Sequence, residues 1–293
     1  MNEQSEHVDQ AGQQAKHVAK AEQAARVEQV AKAEGAEQVE QAGRRKVALV
    51  TGANKGIGRG VAEQLATLGM TVFIGARDAR RGEEAAAALR EAGGGDVHAV
   101  TLDVTDPTTV ESAANLIAER FGRLDVLVNN AGITGSGQVP PQDATDQVPS
   151  TVDLDMVRAV FETNVFGVIT VTNAMLPLLR RSPAPRIVNV SSHAASLTLF
   201  SDPEGPFPAL LPSAAYSPSK TALNALTVHY ANELRKDGFL VNSVAPGFVD
   251  TDSNDHTGFL TVAQGAATVV RLAALDAGGP TAGFFAEEGP VAW

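Results

Sequence analysis

The feature that most constrains this chain is an alternation of short apolar runs with helix-forming stretches, beginning at Arg44 and continuing to the end. VALVTG (47–52) is an apolar run closed by a turn and reads as a buried strand. A helical stretch follows from about Ile57 to Leu68 and stops at Gly69. MTVFIGAR (70–77) is the next strand, and ARRGEEAAAALREAG (79–93) the next helix, ended by glycines 93–95. VHAVTLDV, a helix opened by Asp106-Pro107, and the strand LDVLVNN come next. RIVNVSS and FLVNSVAPG are later strands, separated by a helix that carries Tyr216. Alternation of this kind predicts an α/β fold, a parallel sheet with helices on both faces. Pro and Gly fall between segments rather than inside strands, and no internal boundary is visible after residue 44, so one domain is expected.

Residues 1–43 differ in texture. They hold no Leu, Ile, Pro or aromatic residue, and VAKAE occurs twice, at 18–22 and 30–34. Their Ala, Glu, Gln and Lys favour helix, but a thin stripe of valines cannot build a core. A low-complexity tail, helical or disordered, is expected there, with an oligomer-forming or partner-binding helix as the alternative.

The bulk properties exclude several classes. A net charge of −11 and a pI near 5.0 argue against a nucleic-acid surface. The absence of cysteine removes disulfides, zinc–thiolate sites and thiol nucleophiles, and no metal site is expected. No stretch reads as long and apolar enough to cross a bilayer, and no signal pattern opens the chain, so no membrane partner and a cytoplasmic location are expected.

TGANKGIG (51–58) sits between the first strand and the first helix. Gly52, Gly56 and Gly58 there supply a tight turn, close backbone approach and close helix packing, and a helix N-terminus favours phosphate. That position points to a dinucleotide, although the spacing is Gly-x-x-x-Gly-x-Gly and no triphosphate-loop ending follows. The end of the second strand decides which dinucleotide. An acidic residue there accepts from the adenosine ribose, whereas arginine accommodates a 2′-phosphate. Here Arg77 ends the strand, Arg81 follows one helical turn later, and Lys55 adds a cation in the glycine loop, which favours NADP(H). The competing reading is a solvated helix start of Arg77, Arg80 and Arg81, with Asp78 available to pair with them.

Tyr216 and Lys220, in AAYSPSKTALNAL, stand four apart and share a helix face. Together with TGANKGIG, NNAG (129–132), NVSS (189–192) and APG (245–247), in this order and spacing, YSPSK makes residues 44–293 resemble the short-chain dehydrogenases/reductases. The resemblance implies a doubly wound Rossmann fold, a seven-stranded parallel sheet in a single domain, with one NAD(P) at the strand C-termini. It implies that Asn130 stabilises the central strand beside the cofactor and that Asp103, with Val104, meets the adenine. It makes Asn164 the holder of a relay water, and Ser192, Tyr216 and Lys220 the catalytic set with Asn164. It assigns Asn54 and Ile57 with the glycine loop, and Pro246, Gly247, Val249 and Thr251, to cofactor contacts.

The chemistry of these residues agrees. Hydride addition to a carbonyl leaves negative charge on oxygen, which needs a donor and then a proton. Free tyrosine, with a pKa of about 10, is a poor acid–base group at neutral pH. A nearby lysine cation is expected to lower it, and a serine hydroxyl can hold the substrate oxygen. Tyr230 has no matching lysine and reads as packing. His193 beside the serines has no Gly-x-Ser-x-Gly elbow, so a hydrolase is set aside.

The segment 193–215, HAASLTLFSDPEGPFPALLPSAA, is longer than most members have and is expected to pack over the site mouth, either shaping the substrate site or as a passive insertion. With NKGIG, ARDxxRG and an ending AGFFAEEGPVAW, it resembles the carbonyl reductase branch. That branch implies NADPH, a small-molecule ketone, aldehyde, quinone or alcohol as partner, and a monomer favoured over a homo-oligomer. Other readings are an NAD-dependent alcohol dehydrogenase, a nucleotide-sugar epimerase, or a cofactor sensor without turnover. Too few residues follow Pro246 for the epimerase, and the intact Asn164, Ser192, Tyr216 and Lys220 argue against the sensor.

Overall fold

Each apolar run of the sequence becomes a strand, and all but the edge strand formed by VHAVT are covered on both faces. The computed structural model describes residues 45–293 apart from 138, 140–142 and 206–211. The expectation for the 1–43 tail therefore lies outside the described residues. The strands are β1 (Val47–Thr51), β2 (Thr71–Ala76), β3 (Val97–Thr101), β4 (Val126–Asn129), β5 (Arg186–Val190), β6 (Leu240–Val244), β7 (Phe284–Ala286) and β8 (Gly289–Pro290). Every residue of β1, β2, β4, β5 and β6 is buried, which is why these runs are apolar throughout rather than alternating.

The sheet runs β3-β2-β1-β4-β5-β6-β7-β8. The first seven strands pair in parallel, as expected. The eighth is an addition, a two-residue antiparallel return from β7 in which Ala286 faces Gly289. It is too short to leave a pattern in the sequence.

The helices are α1 (Gly56–Thr67), α2 (Ala79–Glu91), α3 (Pro107–Phe121), α4 (Leu154–Phe161), α5 (Gly167–Leu179), α6 (Leu197–Ser201), α7 (Tyr216–Leu234) and α8 (Val262–Ala273). Alternate strand residues serve the two faces. Ala48, Val50, Val72, Ile74, Val128 and Val188 meet Leu65 of α1, Leu89 of α2 and Val269 of α8. Val47, Leu49, Phe73, Leu127, Ile187 and Val241 meet Ile117 of α3, Met175 of α5 and Leu234 of α7. Tyr230 belongs to the second layer and donates to Asn173 at 2.9 Å, in keeping with a packing role.

Capping follows the local chemistry. Asp106 accepts from the Thr108 amide, Pro107 fills the first turn of α3, and Gly122 ends it in the left-handed region at φ 71°. One expectation is corrected. The helical run Leu154–Leu179 has 26 residues and, by length and composition, is apolar enough to cross a membrane. Its apolar character has a source inside the domain, because Val168, Val171, Met175, Leu178 and Leu179 are buried against the sheet layer that also holds α3 and α7.

Candidate active site

The strand order reverses between β1 and β4, which leave in opposite directions to their next neighbours, and a crevice opens at their C-terminal ends. The glycine loop leaves β1 there and NNAG leaves β4. Asn130 ties them together. Its Nδ2 donates to the carbonyls of Thr51 (2.8 Å) and Gly52 (3.2 Å), and its amide donates to the Thr51 hydroxyl (3.0 Å). The glycines are there for room. A Cβ on Gly58 would stand 2.4 Å from Asn130 Nδ2, and one on Gly52, at φ 62°, would stand 2.9 Å from the Ala131 backbone.

No side chain caps α1, whose N-cap is Lys55. The first amides of that helix are thus left for a ligand, and an anion is what they favour. The cradle fits a pyrophosphate. Asn54 is partly exposed in the same turn, while Ile57 packs inward on the core.

At the end of β2, Arg77 is exposed. Asp78 spends its carboxylate on the N-cap of α2, accepting from the Arg81 amide at 2.9 Å, and lies 4.0 Å from the Arg81 guanidinium. Arg80 is paired with Glu84. At the end of β3, Asp103 accepts from the Thr105 amide and hydroxyl and stays partly exposed. Val104 and Val249 bury their side chains against Gly167 and Gly265, so only their backbone is left to offer a ligand. Pro246 is partly exposed, Gly247 turns at φ 85°, and Thr251 faces Gly56 across the crevice, 3.5 Å from where a Cβ would stand.

Asn164, Ser192, Tyr216 and Lys220 come to the same end of the sheet from three places, the last two sharing α7. Asn164 lies in a single π turn, Glu162–Phe166, that interrupts the helical run between α4 and α5. It is fully buried, exchanges two 2.9 Å bonds with the Ile133 backbone and donates to Ser219 at 3.0 Å. A Cβ on Gly132 would stand 3.1 Å from Asn164 Oδ1 and 3.3 Å from Lys220 Nζ, so Gly132 lies between the two. Ser192 follows β5, its hydroxyl accepts from the Ala194 amide, and it lies near enough to the Tyr216 phenol to favour the phenolate. Lys220 Nζ donates to the Val190 carbonyl at 2.8 Å and sits 5.8 Å from the Tyr216 ring centre.

The electrostatics correct one expectation. The four-residue spacing predicts that Lys220 lowers the phenol pKa. Instead burial pushes the Tyr216 phenol up, opposed by the nearby Ser192 hydroxyl, and burial brings the Lys220 ammonium down to about 8. The ammonium is turned to a carbonyl rather than to the phenol, and removal from water penalises both charged forms. His193 is likewise held below its usual range by burial, against a weaker pull from Glu288.

No pattern in the sequence marks Gln147. It is buried, accepts from the Ser213 hydroxyl (2.6 Å) and the Tyr216 amide (3.2 Å), and donates to the Thr134 carbonyl (2.8 Å) and Ser136 hydroxyl (2.7 Å). It caps α7 from a loop where any polar residue would read as solvated. The start of the 193–215 segment is pinned from elsewhere, Thr198 bonding the Trp293 carbonyl and Ser196 the Ala292 carbonyl.

Comparison with known proteins supplies the family. The family model described as short chain dehydrogenase matches residues 46–258. Salutaridine reductase of Papaver bracteatum is 36% identical, over 83% of this chain and 94% of its own. (+)-Neomenthol dehydrogenase of Capsicum annuum is 33% identical, over 82% of this chain and 95% of its own. The crystal structure of NADPH-bound carbonyl reductase from chicken fatty liver superposes with a TM-score of 0.69 at 28% identity, covering 85% of this chain and 100% of that one. With the switch-point crevice, the glycine cradle and these similarities in hand, the chain belongs to the short-chain dehydrogenase family and is a nicotinamide-dependent oxidoreductase.

Proposed function

We propose that this protein reduces a ketone, aldehyde or quinone carbonyl to the alcohol with NADPH. The observation that carries the reading is the meeting of Tyr216 and Lys220, Nζ 5.8 Å from the phenol ring centre, with the buried Asn164 reached across Gly132 and Ser192 close enough to act on the phenol. The names of the relatives support a carbonyl substrate, since they include a salutaridine reductase and a carbonyl reductase.

The nicotinamide, when bound, supplies hydride to the carbonyl carbon. Ser192 holds the carbonyl oxygen by donating a hydrogen bond, and Tyr216 delivers the proton that completes the alcohol. Its raised pKa keeps Tyr216 protonated at neutral pH, as a donor must be. Lys220, at about 8, stands ready to exchange a proton with the site, and Asn164 fixes the Ile133 turn and Ser219 around it. Lys55, Arg77 and Arg81 would hold a 2′-phosphate, Asp103 the adenine, and Thr251 with the Pro246–Gly247 backbone the nicotinamide amide. The tail 1–43 takes no part, and its removal leaves turnover intact.

The test follows absorbance of the reduced nicotinamide with NADPH or NADH against ketones, aldehydes and quinones. NADPH oxidation is the expected result. A preference for NADH overturns the cofactor reading. NADPH binding without turnover on carbonyls, or on alcohols in reverse, turns the protein into a sensor.

A further inference from the structure

Lys55 is already engaged. Its Nζ lies 2.6 Å from Asp252 Oδ2, joining the glycine loop to the segment after β6 across 197 positions. The other oxygen of Asp252 lies 3.2 Å from His256 Nε2, and His256 Nδ1 lies 2.6 Å from Asp250. Lys55, Asp252, His256 and Asp250 thus form a chain of alternating charge along the crevice rim.

The backbone of this segment is bent to make the chain. Asp255 and His256 both take the left-handed region, at φ 50° and 59°, which L side chains rarely adopt. That conformation aims the imidazole at two carboxylates at once. Thr251 is fastened in the same turn, its amide donating to Asn254 Oδ1 at 3.3 Å.

A single ammonium cannot serve Asp252 and a 2′-phosphate at full strength. We propose that Asp252 is a specificity-determining residue that competes with the cofactor's 2′-phosphate for Lys55, so that it holds down the affinity for NADPH and leaves NADH untouched. The inference rests on the NADPH reading above. The side chains are well exposed, 61% for Lys55 and 44% for Asp252, so the pair is the weak, screened kind that a phosphate dianion displaces. His256 keeps Asp252 turned to the crevice, and its titration reports on the same contact. Asp250, Asp252 and, through Asp252, Lys55 are the charges that face it.

The experiment is calorimetric titration of the full chain with NADPH and with NADH, in the wild type, Asp252→Asn, Lys55→Met and the double variant. Asp252→Asn tightens NADPH by about two- to fivefold, the range an exposed pair supplies, with NADH unchanged. The gain disappears in the Lys55→Met background, which marks it as passing through Lys55. In the cofactor-free protein, Asp252→Asn also lowers the His256 titration midpoint by NMR. Unchanged or weaker NADPH binding in Asp252→Asn overturns the proposal, as does an equal gain for NADH or a gain that survives Lys55→Met. A wild type that binds NADH more tightly overturns the cofactor reading and this proposal together. A wild type that prefers NADPH with no Asp252 effect overturns this proposal alone.

Discussion

The side-chain oxygen of Gln147 accepts the backbone amide of Tyr216, 69 positions further along the chain, and in doing so caps the helix that presents the phenol. The same carboxamide is bonded to Ser213, Thr134 and Ser136, so every part of it is satisfied. Gln147→Leu removes the bonds and strands buried polar partners, at a cost of about 2–3 kcal/mol. A Tm about 5–10 °C lower is expected for a domain of this size. Turnover falls as well, because Tyr216 loses its anchor. Thermal unfolding and initial rates measure both, and a Tm unchanged by the substitution would be incompatible with the capping role.

Tyr216→Phe deletes the proposed proton donor and keeps the ring. Turnover is expected to drop by about 10²–10⁴, the range for a general acid, while cofactor binding persists. Steady-state rates beside a cofactor titration check it, and near-normal turnover would defeat the assignment.

Lys220 gives the protein a pH signature. Its ammonium pKa goes from 10.5 to about 8 on burial. Between those values the unfolded chain holds the proton and the folded one has released it, so stability rises with pH across that window. The span corresponds to about 3 kcal/mol. Tyr216 acts in the opposite sense and higher up: its raised phenol contributes stability that is lost as pH climbs past 10. Urea unfolding of cofactor-free protein from pH 7 to 10 should show the rise in the wild type and lose it in Lys220→Met. Parallel curves for the two would refute the buried-cation account.

Gly58→Ala puts a methyl 2.4 Å from Asn130 Nδ2 and 2.8 Å from the Gly52 carbonyl. Neither can retreat without breaking the bonds between the glycine loop and β4, so overpacking of about 1–3 kcal/mol is expected. With that strain carried by the cofactor cradle, affinity should fall by about five- to 150-fold, since about 1.4 kcal/mol is a factor of ten. Denaturation and cofactor titration would measure the two effects, and an unaltered affinity would show that the cradle does not need this glycine.

Some of this molecule is written locally. A run such as VALVT is apolar at every position because it is covered on both faces, and Gly52 and Gly56 are required by their own left-handed φ values, so strands, turns and the glycine loop are legible residue by residue. Asp106, Pro107 and Gly122 mark the ends of α3 in the same way. Other features depend on which distant groups meet. Gln147 reaches Tyr216 and Lys55 reaches Asp252 through contacts 69 and 197 positions apart, which no periodicity encodes. Whether Lys220 lowers the phenol pKa or burial raises it depends on how deep both groups lie and which way the ammonium turns, and folding alone decides that. The sequence by itself determined the sheet, the cradle and the family. The tertiary structure decided the Gln147 cap of α7, the rim pairing and the charge states, because these come from packing surfaces that no short segment contains.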